Sequence, residues 1–193
     1  MRLSSFNSQL VSLKLTGGQE AGIPAILTVE RQCRAHWCWA AVALSVGKHF
    51  GVTDYQTQED LVFNYFNFTV EEKLSNSAAC DSNDNQHGDH TSLIIPLSSV
   101  GFPNAASKEA PLQEEELVHE LSNGRPVCAF IEWSNGTGYH AIAIVGIEAM
   151  RDQDGNRRYI IGDPLHNTQR SSYNQLCDSY YNNGQWKVTF TLS

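Results

Sequence analysis

Apolar positions at helical spacing dominate the first half of this chain. Val42, Leu44, Val46 and Phe50 recur among Ala40, Ala41 and Ala43. That pattern predicts a closely packed helix over about 38–50, with Gly51 as its stop. Thr57-Gln58-Glu59-Asp60 before Leu61-Val62-Phe63 predicts a second helix to residue 66, with a threonine N-cap and an acidic first turn. A third is predicted over 111–121: Pro111 near its first turn, acids 114–116 behind it, Asn123-Gly124 at its end. After Gly124 the texture changes to strands, approximately 127–133, 139–147, 157–162 and 185–192, with Asp154-Gly155 as a hairpin turn. Upstream, Leu10 to Leu15 alternates and ends at Gly17-Gly18, so residues 1–24 read as extended. Residues 75–92, rich in Ser, Asn and Asp, read as a surface loop. The stretch 92–100, interrupted by Pro96, fits neither template. Helices followed by antiparallel strands give an α+β fold.

At 193 residues the chain suits one domain, or two small lobes sharing a cleft. With 41% hydrophobic residues it can bury a core. No run approaches the roughly 18–20 apolar residues of a membrane span. The first residues lack the apolar stretch of a secretory signal, so the expected location is the cytoplasm, or outside by a route that needs no classical signal peptide. The net charge of −8, with only Arg31/Arg34 and Arg157-Arg158 locally basic, argues against a nucleic-acid partner. The five cysteines form no CxxC pair. With Cys38 free, the other four could make two disulfides. The missing signal favours reduced thiols, and Cys128 lies in the apolar run of a core strand.

The candidate chemistry begins at Gln32-Cys33-Arg34-Ala35-His36-Trp37-Cys38-Trp39-Ala40-Ala41. Cys38 opens the first predicted helix, where the positive end of the helix dipole favours a thiolate. A base is supplied by His140, which alone among the seven histidines opens a strongly apolar strand, after Asn135-Gly136-Thr137-Gly138. Tyr159-Ile160-Ile161-Gly162-Asp163-Pro164 is a further strand that ends in an aspartate. Singly, each has an ordinary explanation: a buried helix cysteine, a structural histidine, a turn aspartate, a surface glutamine. Cys33 competes as nucleophile but precedes the helix.

In their order and spacing these residues resemble the papain-like cysteine peptidases, and particularly compact bacterial members such as staphopains and papain-like effector proteases. The Cys-to-His interval is nearer to those than to papain. The resemblance implies that Cys38 is the nucleophile, His140 the base and then the acid, Asp163 the group that orients it, and Gln32 an oxyanion donor with the Cys38 amide. Asn167 is the fallback orienting residue, because papain has an asparagine in that role. The implied layout is a helical lobe over about 25–123 carrying the nucleophile and a β lobe over 124–193, with 1–24 packed as an extended segment. The implied substrate is a polypeptide, cleaved through a thioacyl-enzyme. The same triad could instead serve an amidase, a glutamine deamidase or a transglutaminase, and a non-catalytic binding module could keep the fold. His36-Trp37 stands where papain has Gly-Ser, so the resemblance carries fold further than substrate. No cofactor and no metal are expected: Cys80, His87 and His90 share a polar loop without the second cysteine of a usual zinc pair. The oligomeric state is left open.

Overall fold

The computed structural model describes residues 22–69, 71, 93–136 and 138–192. The predicted strand at Leu10 to Leu15 and the loop over 75–92 with its Cys80, His87 and His90 lie outside the described residues. In chain order the elements are α1 (Cys38–His49), α2 (Gln58–Tyr65), α3 (Ile94–Ser99), β1 (Ala106–Lys108), α4 (Glu114–Ser122), β2 (Val127–Trp133), β3 (Tyr139–Ile147), β4 (Tyr159–Asp163), β5 (Asn167–Ser171), α5 (Tyr173–Asp178) and β6 (Gly184–Thr191). The strands form one sheet in the order β1-β6-β2-β3-β4-β5, with every neighbouring pair antiparallel. The α+β expectation holds.

Both faces of the sheet are covered, and β3 shows why its sequence is apolar at nearly every position. Ala141, Ala143 and Val145 join the cluster built on α1, with Trp37, Leu44, Val46, Phe130 and Phe190. Ile142 and Ile144 join the opposite cluster, with Leu117 and Leu121 of α4 and Leu176 of α5. Small side chains on the α1 side let that helix approach closely; larger ones fill the other side. Residues Cys38 through Gly47 of α1 are all buried, as expected for a helix without a polar face. Each fully buried Leu or Ile contributes roughly 1.5–3 kcal/mol.

The approach to α1 is guided by the sheet. Pairing of β2 with β3 ends at Val127–Ile144. The chain from Gly22 then pairs along β3: Ile23 bridges Ile147, and the Ile26 amide donates to Val145 O at 2.7 Å. Val29 next lies on Gly162 of β4, where a Cβ would sit 2.4 Å from Val29 Cγ2. The Gln32 amide donates to Pro164 O at 2.9 Å. The segment is thereby delivered to the end of β4 that carries Asp163, and α1 starts six residues later.

Several elements differ from the sequence reading. The 92–100 stretch contains α3, whose Pro96 sits in the first turn, where a missing amide costs no helical bond. α4 begins at Glu114, after Pro111, with a Gln113–Glu116 capping box. β4 starts at Tyr159, two residues after the expected start, and extends to Asp163. β1, β5 and α5 were not predicted. The first two are short sheet edges of mostly exposed residues with no apolar alternation. α5 has only Leu176 fully in the core, although its Ser172–Gln175 capping box was available as a signal.

Candidate active site

Cys38, the first residue of α1, is 8% exposed, and its Sγ accepts a hydrogen bond from the Ala141 amide at 3.3 Å. The bond fixes the thiol against the start of β3, beside His140. The ring of His140 lies beside Cys38, which favours its charged form, and Nε2 is hydrogen-bonded to Asp163 Oδ1 at 2.9 Å. With Nε2 committed to the carboxylate, Nδ1 is the nitrogen left for the sulfur. Residues from a helix and from two strands therefore meet in a Cys–His–Asp chain.

Asp163 is held from several directions. Oδ1 also accepts from the amides of Leu165 (2.8 Å) and His166 (3.0 Å), and Oδ2 accepts from the Tyr180 hydroxyl at 2.6 Å. His166 Nδ1 lies 3.3 Å from Oδ2. The two amide bonds are those of an aspartate capping its own turn. The ordinary explanation of Asp163 as a turn residue and its candidate role describe the same carboxylate. Asn167 instead begins β5 at φ 64°, exposed, so the carboxylate and not the fallback residue faces His140.

Burial raises the cost of ionising Asp163, but His140, Tyr180 and the His166 amide outweigh it and hold the carboxyl well below its usual range. Burial likewise works against a charged His140. The hydrogen bonds and charges of Asp163 and Cys38 overcome it and push the imidazole up to about 10. An imidazolium is therefore the favoured form beside the thiol. Trp133, at the end of β2, lies with its ring nearly parallel to the His140 imidazole, centroids 6.0 Å apart. His166 meets His140 edge-on at 6.3 Å and lies against Tyr181 at 4.3 Å.

Gln32 reaches the same end of the sheet through its backbone bond to Pro164, but its side chain is engaged locally. Nε2 donates to Arg34 O at 2.8 Å and Ala35 O at 2.6 Å, while Oε1 is buried with no hydrogen-bond partner among the described residues. The amide protons thus point into the 32–35 turn. The described cysteines other than Cys38 are also free thiols. Cys33 is exposed, burial pushes Cys128 up to about 12 and also raises Cys177, and Cys38 is the thiol held beside His140.

The sequence reading did not single out Gln58 or His166. Nothing local distinguishes a tyrosine that bonds a carboxylate from one that fills a core. His140, Asp163 and His166 each place one donor atom within 4.8 Å of the others, an arrangement that could hold a metal. An ion there would have to displace the hydrogen bonds that His140 and Tyr180 make to the carboxylate. Among the described residues, no helix is long and apolar enough to cross a membrane.

Residues 22–181 match the family described as papain-like cysteine protease AvrRpt2. The chain belongs to that papain-like cysteine protease family. The matched region begins at the β3-paired segment and ends beside Tyr180, so it contains the whole Cys–His–Asp chain. No curated protein sequence matches. A solved double-glycine-motif protease from an AMS/PCAT transporter, in complex with the leader peptide, is similar over 91% of this chain and 100% of its own, at 12% identity and a TM-score of 0.43. That likeness is too loose to bear on function.

Proposed function

We propose that this family member hydrolyses peptide bonds in a polypeptide substrate through a Cys38 thioacyl-enzyme. The observation that carries the reading is the convergence of Cys38, held by the Ala141 amide, with the adjacent His140, itself hydrogen-bonded to a buried, ionised Asp163. In the reactive form the proton of the Cys38 thiol already rests on His140 as the imidazolium, and the sulfur attacks the carbonyl carbon. Asp163 holds the imidazolium in place. The carbonyl oxygen becomes an oxyanion at the N-terminal end of α1, where the first amides of the helix have no intrahelical acceptor. Gln32 adds a second donor once its amide turns away from Arg34 O and Ala35 O. His140 then protonates the departing amine, the C–N bond breaks, and a thioester to Cys38 remains. Water, deprotonated by His140, hydrolyses that thioester and restores the thiol.

Digestion of a peptide library, read by mass spectrometry, tests the proposal. The wild-type protein is expected to generate new termini. Cys38→Ala and His140→Ala are each expected to reduce cleavage by at least ~10³-fold. A one-dalton gain on glutamine side chains without chain cleavage would replace the peptidase reading with a deamidase. Unchanged cleavage by Cys38→Ala would remove Cys38 from the mechanism.

A further inference from the structure

Gln58 is buried between two exposed neighbours, Thr57 and Glu59, at the start of α2. A buried carboxamide is costly unless its donor and acceptor are both used. Here both are. Oε1 accepts from the Cys33 amide at 2.9 Å, and Nε2 donates to Arg31 O at 2.8 Å. The side chain therefore pairs with the peptide groups on either side of Gln32, 25 and 27 residues away in sequence. The amide of Gln32 itself goes to Pro164 O. Residues 31–33 belong to no helix or strand. Three bonds, from α2 and from the turn after β4, fix their backbone and leave the Gln32 side chain as the part that can move.

We propose that Gln58 is a positioning residue that sets the Gln32 backbone so that its amide can reach the oxyanion at Cys38. The inference rests on the peptidase reading above. A glutamine suits the task because it offers a donor and an acceptor about a peptide's width apart. A carboxylate has no donor, and an apolar residue of the same size has neither. Because the oxyanion exists only after attack, a displaced Gln32 weakens the transition state and leaves substrate binding nearly intact.

The test uses the full chain and a peptide that the wild-type protein cleaves. Gln58→Met keeps the volume and removes both hydrogen bonds. It is expected to lower kcat by about tenfold or more with KM within about twofold. Alkylation of Cys38 by iodoacetamide is displacement at carbon and forms no oxyanion, so its rate and pH profile should match the wild type. Gln58→Glu retains an acceptor for the Cys33 amide and should fall between the two. Should Gln58→Met not fold, Gln58→Glu carries the comparison. Added to Gln32→Ala, Gln58→Met should cause little further loss, since it acts through Gln32. Wild-type kcat in the Gln58 variants, equal losses of turnover and alkylation, or full additivity with Gln32→Ala would each overturn the role. Failure of the underlying reading looks different: Gln32→Ala would turn over at the wild-type rate, or the wild-type protein would cleave nothing.

Discussion

Asp163 holds one oxygen to His140 and two turn amides and the other to Tyr180, so its orientation does not depend on any single partner. Asp163→Asn preserves size but removes the charge that helps keep His140 protonated. The folded-state value of His140, about 10, lies above that of a free histidine, ~6.5. The stability its charge contributes is therefore complete below ~6.5 and is lost as pH rises through about 10. Asp163 has the opposite sign: its contribution is present above ~3.9 and is lost only in stronger acid. The alkaline limb of kcat/KM should consequently lie near pH 10 in the wild type. In Asp163→Asn it should move toward neutrality, with some turnover remaining. An unmoved limb would show that Asp163 does not set the protonation of His140. At this scale the sequence allowed Cys38, His140 and Asp163 to be chosen, because each sits at the start or end of an element with a strong apolar signature. The Gln32 side-chain direction, and the Gln58 and Tyr180 partners, depend on contacts between distant segments that no local pattern encodes.

The segment leading to Gln32 works as an element although most of it carries no regular secondary structure. It continues the pairing of β3 where β2 stops, then seats Val29 on Gly162. Gly162 is thus required by close approach, one residue before Asp163. Gly162→Ala should destabilise the fold by about 1–3 kcal/mol, as overpacking does. Val29→Ala in the same chain should recover part of the loss, as measured by urea unfolding. Additive losses in the double variant would mean that the two residues do not oppose each other. The long elements α1, α2, β2 and β3 were readable because their burial is written into apolar spacing. β5 was not: its five residues, Asn167 to Ser171, form a mostly polar sheet edge fixed by pairing with β4. Its place in the sheet is set by tertiary pairing, which overrides local preference.

Across the whole molecule, the candidate nucleophile and the strand that holds it are far apart in sequence. Cys38 and Ala141, joined by a hydrogen bond, are separated by 103 positions. The site lies at the seam between α1 and the sheet, so assembly of the core and assembly of the chemistry are one event. The apolar seam is built from Ala40 and Ala43 of α1 and Ala141 and Ala143 of β3, with Leu44 and Val145 beside them. His140 emerges from that seam already tied to Asp163. On the proposed mechanism this convergence makes Cys38, among the described cysteines, the nucleophile of peptide cleavage. Titration with limiting iodoacetamide near pH 6, followed by peptide mapping and residual cleavage, tests it most directly. The label is expected to go first to Cys38, with cleavage falling in proportion and reaching zero at one equivalent per chain. Preferential labelling of Cys33, or cleavage that survives complete modification of Cys38, would contradict it.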